Sequence, residues 1–117
     1  MQAAMNAPGA IETLSALAHA SRLAAFRALV RAGPDGLSAG ALASAVGALP
    51  NTLSTHLAIL ERAGLVGARR AGRSIIYTAQ FDHMRALLGF LMADCCGGRP
   101  DICDAIPALT AEPETCP

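Results

Sequence analysis

The chain of 117 residues has no tryptophan, one tyrosine, three phenylalanines and no lysine at all. With aromatics at 3% and hydrophobic residues at 53%, its interior must be built from alanine and leucine, the composition of packed helices. Without lysine, every fixed cation is an arginine, a planar fork suited to phosphate oxygens. No apolar run reaches the length of a membrane span before Arg, Asp or Gly interrupts it. The N-terminus lacks the charged start and long apolar stretch of a secretory signal. A cytoplasmic protein with no membrane partner is therefore expected. No nucleophile–base pairing argues for catalysis, so an enzyme is not expected, and the length fits one domain.

Net charge is zero, yet the charge is not evenly spread. Residues 1–91 hold Arg22, Arg27, Arg31, Arg62, Arg69, Arg70, Arg73 and Arg85 against Glu12, Asp35, Glu61 and Asp82, a balance of +4. Residues 92–117 hold Arg99 against Asp94, Asp101, Asp104, Glu112 and Glu114, a balance of −4. A basic body with an acidic tail keeps nucleic acid open as a partner.

The segment from Gly36 to Val66 carries the strongest pattern. A helix is predicted from Ser38 to Val46, with Leu42 and Val46 four apart on one face. Gly47 permits a tight turn, and Pro50 opens a second helix where a missing N–H costs nothing. Leu53, Leu57 and Leu60 then form one buried stripe. The opposite face carries Asn51, Thr52, Ser54, Thr55 and Ala58, with no carboxylate before Glu61. Gly64 ends the helix. Two helices, a short turn and this asymmetry predict a helix-turn-helix whose second helix reads DNA. Leu65 to Thr78 follows as a β-hairpin, with Ala71-Gly72 at the turn and Ile75-Ile76-Tyr77-Thr78 as its β-branched strand. Arg69, Arg70 and Arg73 crowd the tip, so the hairpin is a basic wing.

The remaining elements are helical. Residues 1–10 are expected to be a flexible N-terminus, and 11–94 the DNA-binding and dimerisation domain. A first helix runs from Ile11 to Ala18 with Ile11, Leu14, Leu17 and Ala18 on one face. A second runs from Ser21, its expected N-cap, to Arg31 with Leu23, Phe26, Leu29 and Val30 as core candidates. Gly33-Pro34-Asp35-Gly36 is a turn. A last helix from Phe81 to Asp94 carries Phe81, Met84, Leu87, Leu88, Leu91 and Met92, a band too broad for one-sided packing. Its spare face is expected to make a dimer. His19 and His83 are expected at helix surfaces.

The run Leu57-x-x-Leu60-x-x-Ala63-Gly64-Leu65-Val66-x-x-Arg69-Arg70-x-Gly72-Arg73-x-x-x-Tyr77 resembles the ArsR/SmtB family of winged-helix repressors over roughly residues 12 to 93. The resemblance implies a mainly α fold of about five helices with a small β-hairpin. It also implies a homodimer through the first and last helices and double-stranded operator DNA as partner. Carried onto this sequence, the contact set is Asn51, Thr52, Ser54, Thr55, His56 and Arg62 with wing residues Arg69, Arg70 and Arg73. His56 stands where the family's Ser-x-His-Leu falls, either bracing the helix or touching phosphate. Leu49 replaces the family's Ser or Thr cap, and Thr55 a frequent basic residue. Many arsenic-responsive members carry Cys-x-Cys at the start of the first helix of the helix-turn-helix; here Ser38-Ala39-Gly40-Ala41 has no sulfur. Zinc-responsive members use a spaced Asp-x-His in the last helix, whereas Asp82 and His83 are adjacent.

All four cysteines, Cys95, Cys96, Cys103 and Cys116, fall in the acidic segment 95–117. Cytosolic thiols stay reduced, so clustered cysteines there point to metal or redox chemistry before disulfides. A vicinal pair makes a strained disulfide but can give two sulfurs to one ion. A Gly-Gly turn then returns Cys103 to the same place. Three soft donors without histidine fit a thiophilic centre. Trivalent arsenic or antimony fits best, since its lone pair leaves room for three thiolates in a trigonal pyramid. Zn(II), Cd(II) or Pb(II), with Cys116, an aspartate or water as fourth ligand, is the alternative. The expected function is a repressor that leaves its operator on binding As(III) or Sb(III) through Cys95, Cys96 and Cys103, derepressing arsenic-resistance genes, with no organic cofactor. The rivals are a divalent-metal-responsive repressor of the same fold, and a thiol-based redox or metal-buffering protein.

Overall fold

A computed structural model describes residues 5–92. In chain order these form helices α1 (Ala7–Leu17) and α2 (Ala20–Ala32), a 3-10 turn at Gly33–Asp35, strand β1 (Leu37–Ser38), helices α3 (Ala39–Val46) and α4 (Pro50–Arg62), strands β2 (Val66–Ala71) and β3 (Ser74–Ala79), and helix α5 (Phe81–Leu91). The fold is a mainly α winged helix-turn-helix with five helices among the described residues, as expected. All four cysteines, and the expected end of the last helix at Asp94, lie outside the described residues.

Local chemistry explains most boundaries. Ser38 caps α3, its hydroxyl accepting from the Ala41 N–H at 3.1 Å, and Gly47 closes that helix in the left-handed conformation. Pro50 occupies the first turn of α4, and Leu49 precedes it with no side-chain oxygen to cap it. The N-terminal boundary differs from expectation. Asn6 accepts from the Gly9 N–H at 2.8 Å and Pro8 sits in the first turn, so α1 begins at Ala7, before the expected start at Ile11. The cap of α2 is His19 and not Ser21: its Nδ1 accepts the Ser21 N–H at 3.1 Å.

The core lies between α2, α3, α4 and the sheet, with Leu29, Leu42, Leu53, Leu57, Leu60 and Leu65 fully buried. Each contributes roughly 1.5–3 kcal/mol relative to exposure. The α4 stripe is buried as its spacing predicts. The phase of α2 is different: Phe26 and Leu29 are inside, but Leu23 and Val30 face out while Ala25 and Ala28 pack inward. In α1 the inner face is Ala10, Thr13 and Ala16, leaving Ile11 66% and Leu14 43% exposed. Small side chains let α1 and α2 approach the core closely, with Ile11, Leu14, Leu23 and Val30 left outside.

The sheet has three antiparallel strands in the order β1-β3-β2. β2 and β3 form the expected hairpin, whereas β1, two residues long, is too short to show a periodicity in the sequence. β1 pairs Leu37 with Tyr77 and Ser38 with Ile76. In the hairpin Ala71 pairs with Ser74, so the connection is Gly72-Arg73, one residue beyond the expected turn. β3, the central strand, thus ties the wing to the residue that starts the helix-turn-helix.

Candidate nucleic-acid interface

Along α4, Leu53, His56, Leu57 and Leu60 are buried, whereas Asn51, Thr52, Ser54, Thr55 and Ala58 are exposed. Among the described residues the side chains of Asn51, Thr52, Ser54 and Thr55 make no hydrogen bond, so their donors and acceptors are free for an external partner. Arg62 is exposed in the last turn, where a cation complements the helix dipole.

The sheet register spaces the wing cations. Arg69 and Arg70 lie on β2 opposite Ile76 and Ile75, and Arg73 sits in the two-residue turn. All three are exposed, but they are not equivalent. Arg69 Nη2 donates to the Asp35 carbonyl at 3.2 Å, fastening the wing to the loop before β1. Arg70 and Arg73 make no side-chain hydrogen bond or ion pair among the described residues. Among the described residues, the cations without a partner are therefore those nearest the tip. Surfaces of this kind bind DNA by laying the helix in the major groove while the cations hold the backbone.

His56, one of the nine residues assigned to DNA from the sequence, turns inward. Its ring is buried, its centroid 4.6 Å from that of His19, and its Nδ1 accepts from Arg22 Nη1 at 3.4 Å. Burial first, then the neighbouring His19 and Arg22, lower its pKa below the ordinary 6.5. These contacts fit the first of the two roles expected of it, bracing the helix. His19 is exposed, as expected. His83 is not a simple surface residue: its Nε2 lies 2.9 Å from Thr13 Oγ1, and its ring covers Gly64. Arg22 also escaped the sequence reading. Periodicity ranks apolar positions and is silent about which polar side chains turn inward.

Comparison with known proteins agrees with the geometry. A helix-turn-helix domain family matches residues 17–66. The nodulation protein NolR of Rhizobium meliloti is 35% identical over 96 residues, covering 82% of this chain and 75% of that protein. The transcriptional activator HlyU of Vibrio cholerae is 33% identical over 86 residues, covering 74% and 77%. Among solved structures, the homodimeric winged helix-turn-helix DNA-binding domain of a possible ArsR-family regulator from Mycobacterium bovis is 31% identical, with a TM-score of 0.61 over 74% of this chain and 80% of that one. With the fold, the exposed reading face and these relatives together, the chain belongs to the ArsR family of winged helix-turn-helix proteins, DNA-binding transcriptional regulators and not enzymes.

Proposed function

We propose that this regulator is a homodimeric repressor that grips paired half-sites through α4 and the wing, and releases them when As(III) or Sb(III) binds Cys95, Cys96 and Cys103. The observation that carries the DNA part is the exposed, carboxylate-free polar face of α4, together with two wing arginines that have no partner among the described residues. The dimer reading rests on exposed apolar side chains. Ile11 and Leu14 on α1, and Phe81 and Leu91 on α5, are each more than two-fifths exposed. These two helices are joined at Thr13 and His83. Covering such residues on both copies removes apolar surface from water, and a two-fold axis presents two reading helices to two half-sites. The work of such a regulator is done in the cytoplasm.

The inducer reading rests on donor chemistry. Two adjacent thiols and a third beyond Gly97-Gly98 can exchange with the three hydroxyls of arsenious acid, releasing water with no change in net charge. Binding releases DNA only if it favours the non-binding arrangement, a coupling of typically about 1–3 kcal/mol. The experiment is a DNA-binding titration of the full chain with arsenite, antimonite, Zn(II), Cd(II) and Pb(II). Release by the trivalent ions is the expected result, lost in Cys95→Ser, Cys96→Ser and Cys103→Ser and retained in Cys116→Ser. Release by divalent ions alone converts the reading to a Zn(II)/Cd(II)/Pb(II)-responsive repressor. DNA binding that no ion alters leaves the thiols to redox or metal-buffering chemistry.

A further inference from the structure

The recognition helix is connected to α1 by two links, one made of hydrogen bonds and one of a hydrogen bond and a packed ring, built from residues outside its exposed polar face. The first passes through Arg22 of α2. Its Nε donates to the Ala16 carbonyl of α1 at 2.6 Å, and its Nη1 donates to His56 Nδ1 of α4 at 3.4 Å. The second passes through His83 of α5. The Thr13 hydroxyl donates to the Gly9 carbonyl at 2.9 Å, so at the 2.9 Å contact with His83 Nε2 it accepts, and the imidazole is the donor. The same ring lies against Gly64, the residue after the α4 C-cap, where a Cβ would fall 2.9 Å from Cε1 and 3.0 Å from Nδ1.

Both links end one turn apart on the buried face of α1, at Thr13 and Ala16, whereas Ile11 and Leu14 occupy its exposed side. Apolar packing holds α4 in place but is non-directional. Hydrogen bonds weaken steeply as they bend, so they fix an angle.

We propose that Arg22 and His83 are positioning residues for DNA reading: through Ala16 and Thr13 of α1 they set the angle of α4 against the helices of the dimer. The proposal rests on the reading of α1 and α5 as the dimer helices and of α4 as the reader. In a two-fold dimer any tilt of α4 is repeated in the partner, so half-site spacing registers it.

The test uses the full chain and a duplex enriched from a random-sequence pool on the wild-type protein. Affinity for this duplex is compared with that for poly(dI-dC), and again after one base pair is inserted or removed between the half-sites. Three variants cut a link at nearly constant volume: Thr13→Val, His83→Phe, which keeps a ring over Gly64, and Arg22→Lys, which keeps the charge but not the two-pronged reach. Each is expected to remain a dimer by sedimentation with unchanged poly(dI-dC) binding. The ratio of specific to non-specific affinity should fall on the order of tenfold, about 1.4 kcal/mol, and the spacing preference should flatten. His83→Gln, with a donor near the Nε2 position, should recover the ratio. Thr13→Val combined with His83→Phe should be no worse than either alone.

Folded, dimeric variants with an unchanged ratio and spacing preference overturn the proposal. So does a ratio that falls only in step with melting temperature, or loss of fold in all three, since the links then serve stability. Failure of the underlying reading looks different: a wild-type chain that enriches no duplex, or that binds as a monomer.

Discussion

Replacing Arg73 by alanine isolates the wing from the recognition helix. Arg73 lies in the Gly72-Arg73 turn, is exposed, and makes no side-chain hydrogen bond or ion pair among the described residues, so its removal disturbs little inside the fold. If it neutralises one phosphate per subunit, a dimer loses two contacts. The slope of log K against log salt then falls by about 1.8, from roughly 0.9 per phosphate. Between about 50 and 200 mM salt, that difference shrinks the advantage of the wild-type protein roughly tenfold. The loss should be the same for every duplex, because a phosphate contact carries no base information. Arg70→Ala should behave alike. Arg69→Ala should change the slope less, since part of its guanidinium is committed to the Asp35 carbonyl. Ser54→Ala should leave the slope alone and alter the ranking of duplexes. Fluorescence anisotropy across a salt series measures all four. An Arg73→Ala protein with the wild-type slope would refute the argument and take the wing out of the interface.

Leu91, half exposed on α5, tests the dimer: Leu91→Glu should sediment as a monomer with native helicity and weakened DNA binding, and a stable Glu variant dimer would move the interface elsewhere. Gly36 has φ +68° and faces the Tyr77 carbonyl and the Thr78 and Ile76 methyls, so Gly36→Ala should lower stability by roughly 3 kcal/mol or more in urea. Gly40→Ala, in open space on α3, should instead raise it by about 0.5–1 kcal/mol, and equal effects would show that the contact at Gly36 is not limiting. Because the folded pKa of His56 lies below its ordinary 6.5, its contribution to stability is complete above pH 6.5 and is lost as pH falls from there toward the folded value, where only the unfolded chain takes up the proton. The urea midpoint should therefore be lower at about pH 5.5 than at about pH 7.5, and His56→Gln should narrow that gap.

The helix-turn-helix and wing were legible because each position answers to one demand. The Leu53, Leu57 and Leu60 stripe, the Ser38 cap, Gly47 and the β-branched run at Ile75-Ile76 all point to the same local geometry. In α1 and α2 the demands compete. Ile11, Leu14, Leu23 and Val30 are the more hydrophobic residues, yet Ala10, Ala16, Ala25 and Ala28 are buried, because close helix contact selects for small size and periodicity scores only hydrophobicity. Asn6 and Pro8 did carry a readable start signal for α1, masked by the low-contrast composition around them. Thr13, Arg22, His56 and His83 were not legible as a set: the Thr13–His83 and Arg22–His56 contacts span elements distant in the chain, and no spacing rule connects them.

Ser38 belongs to two structures at once. Its backbone pairs with Ile76 at the end of β1, and its side chain caps the first helix of the helix-turn-helix. One residue is therefore the pivot of both the wing and the reading unit, and the wing cannot swing without dragging the cap of α3. The wing and the helix-turn-helix are thereby coupled through a single residue. In the proposed dimer, release from DNA would then act through the placement of one such unit relative to its partner. Such a dimer would work as a pair of calipers with stiff jaws, adjusted by the distance and angle at which the two are held.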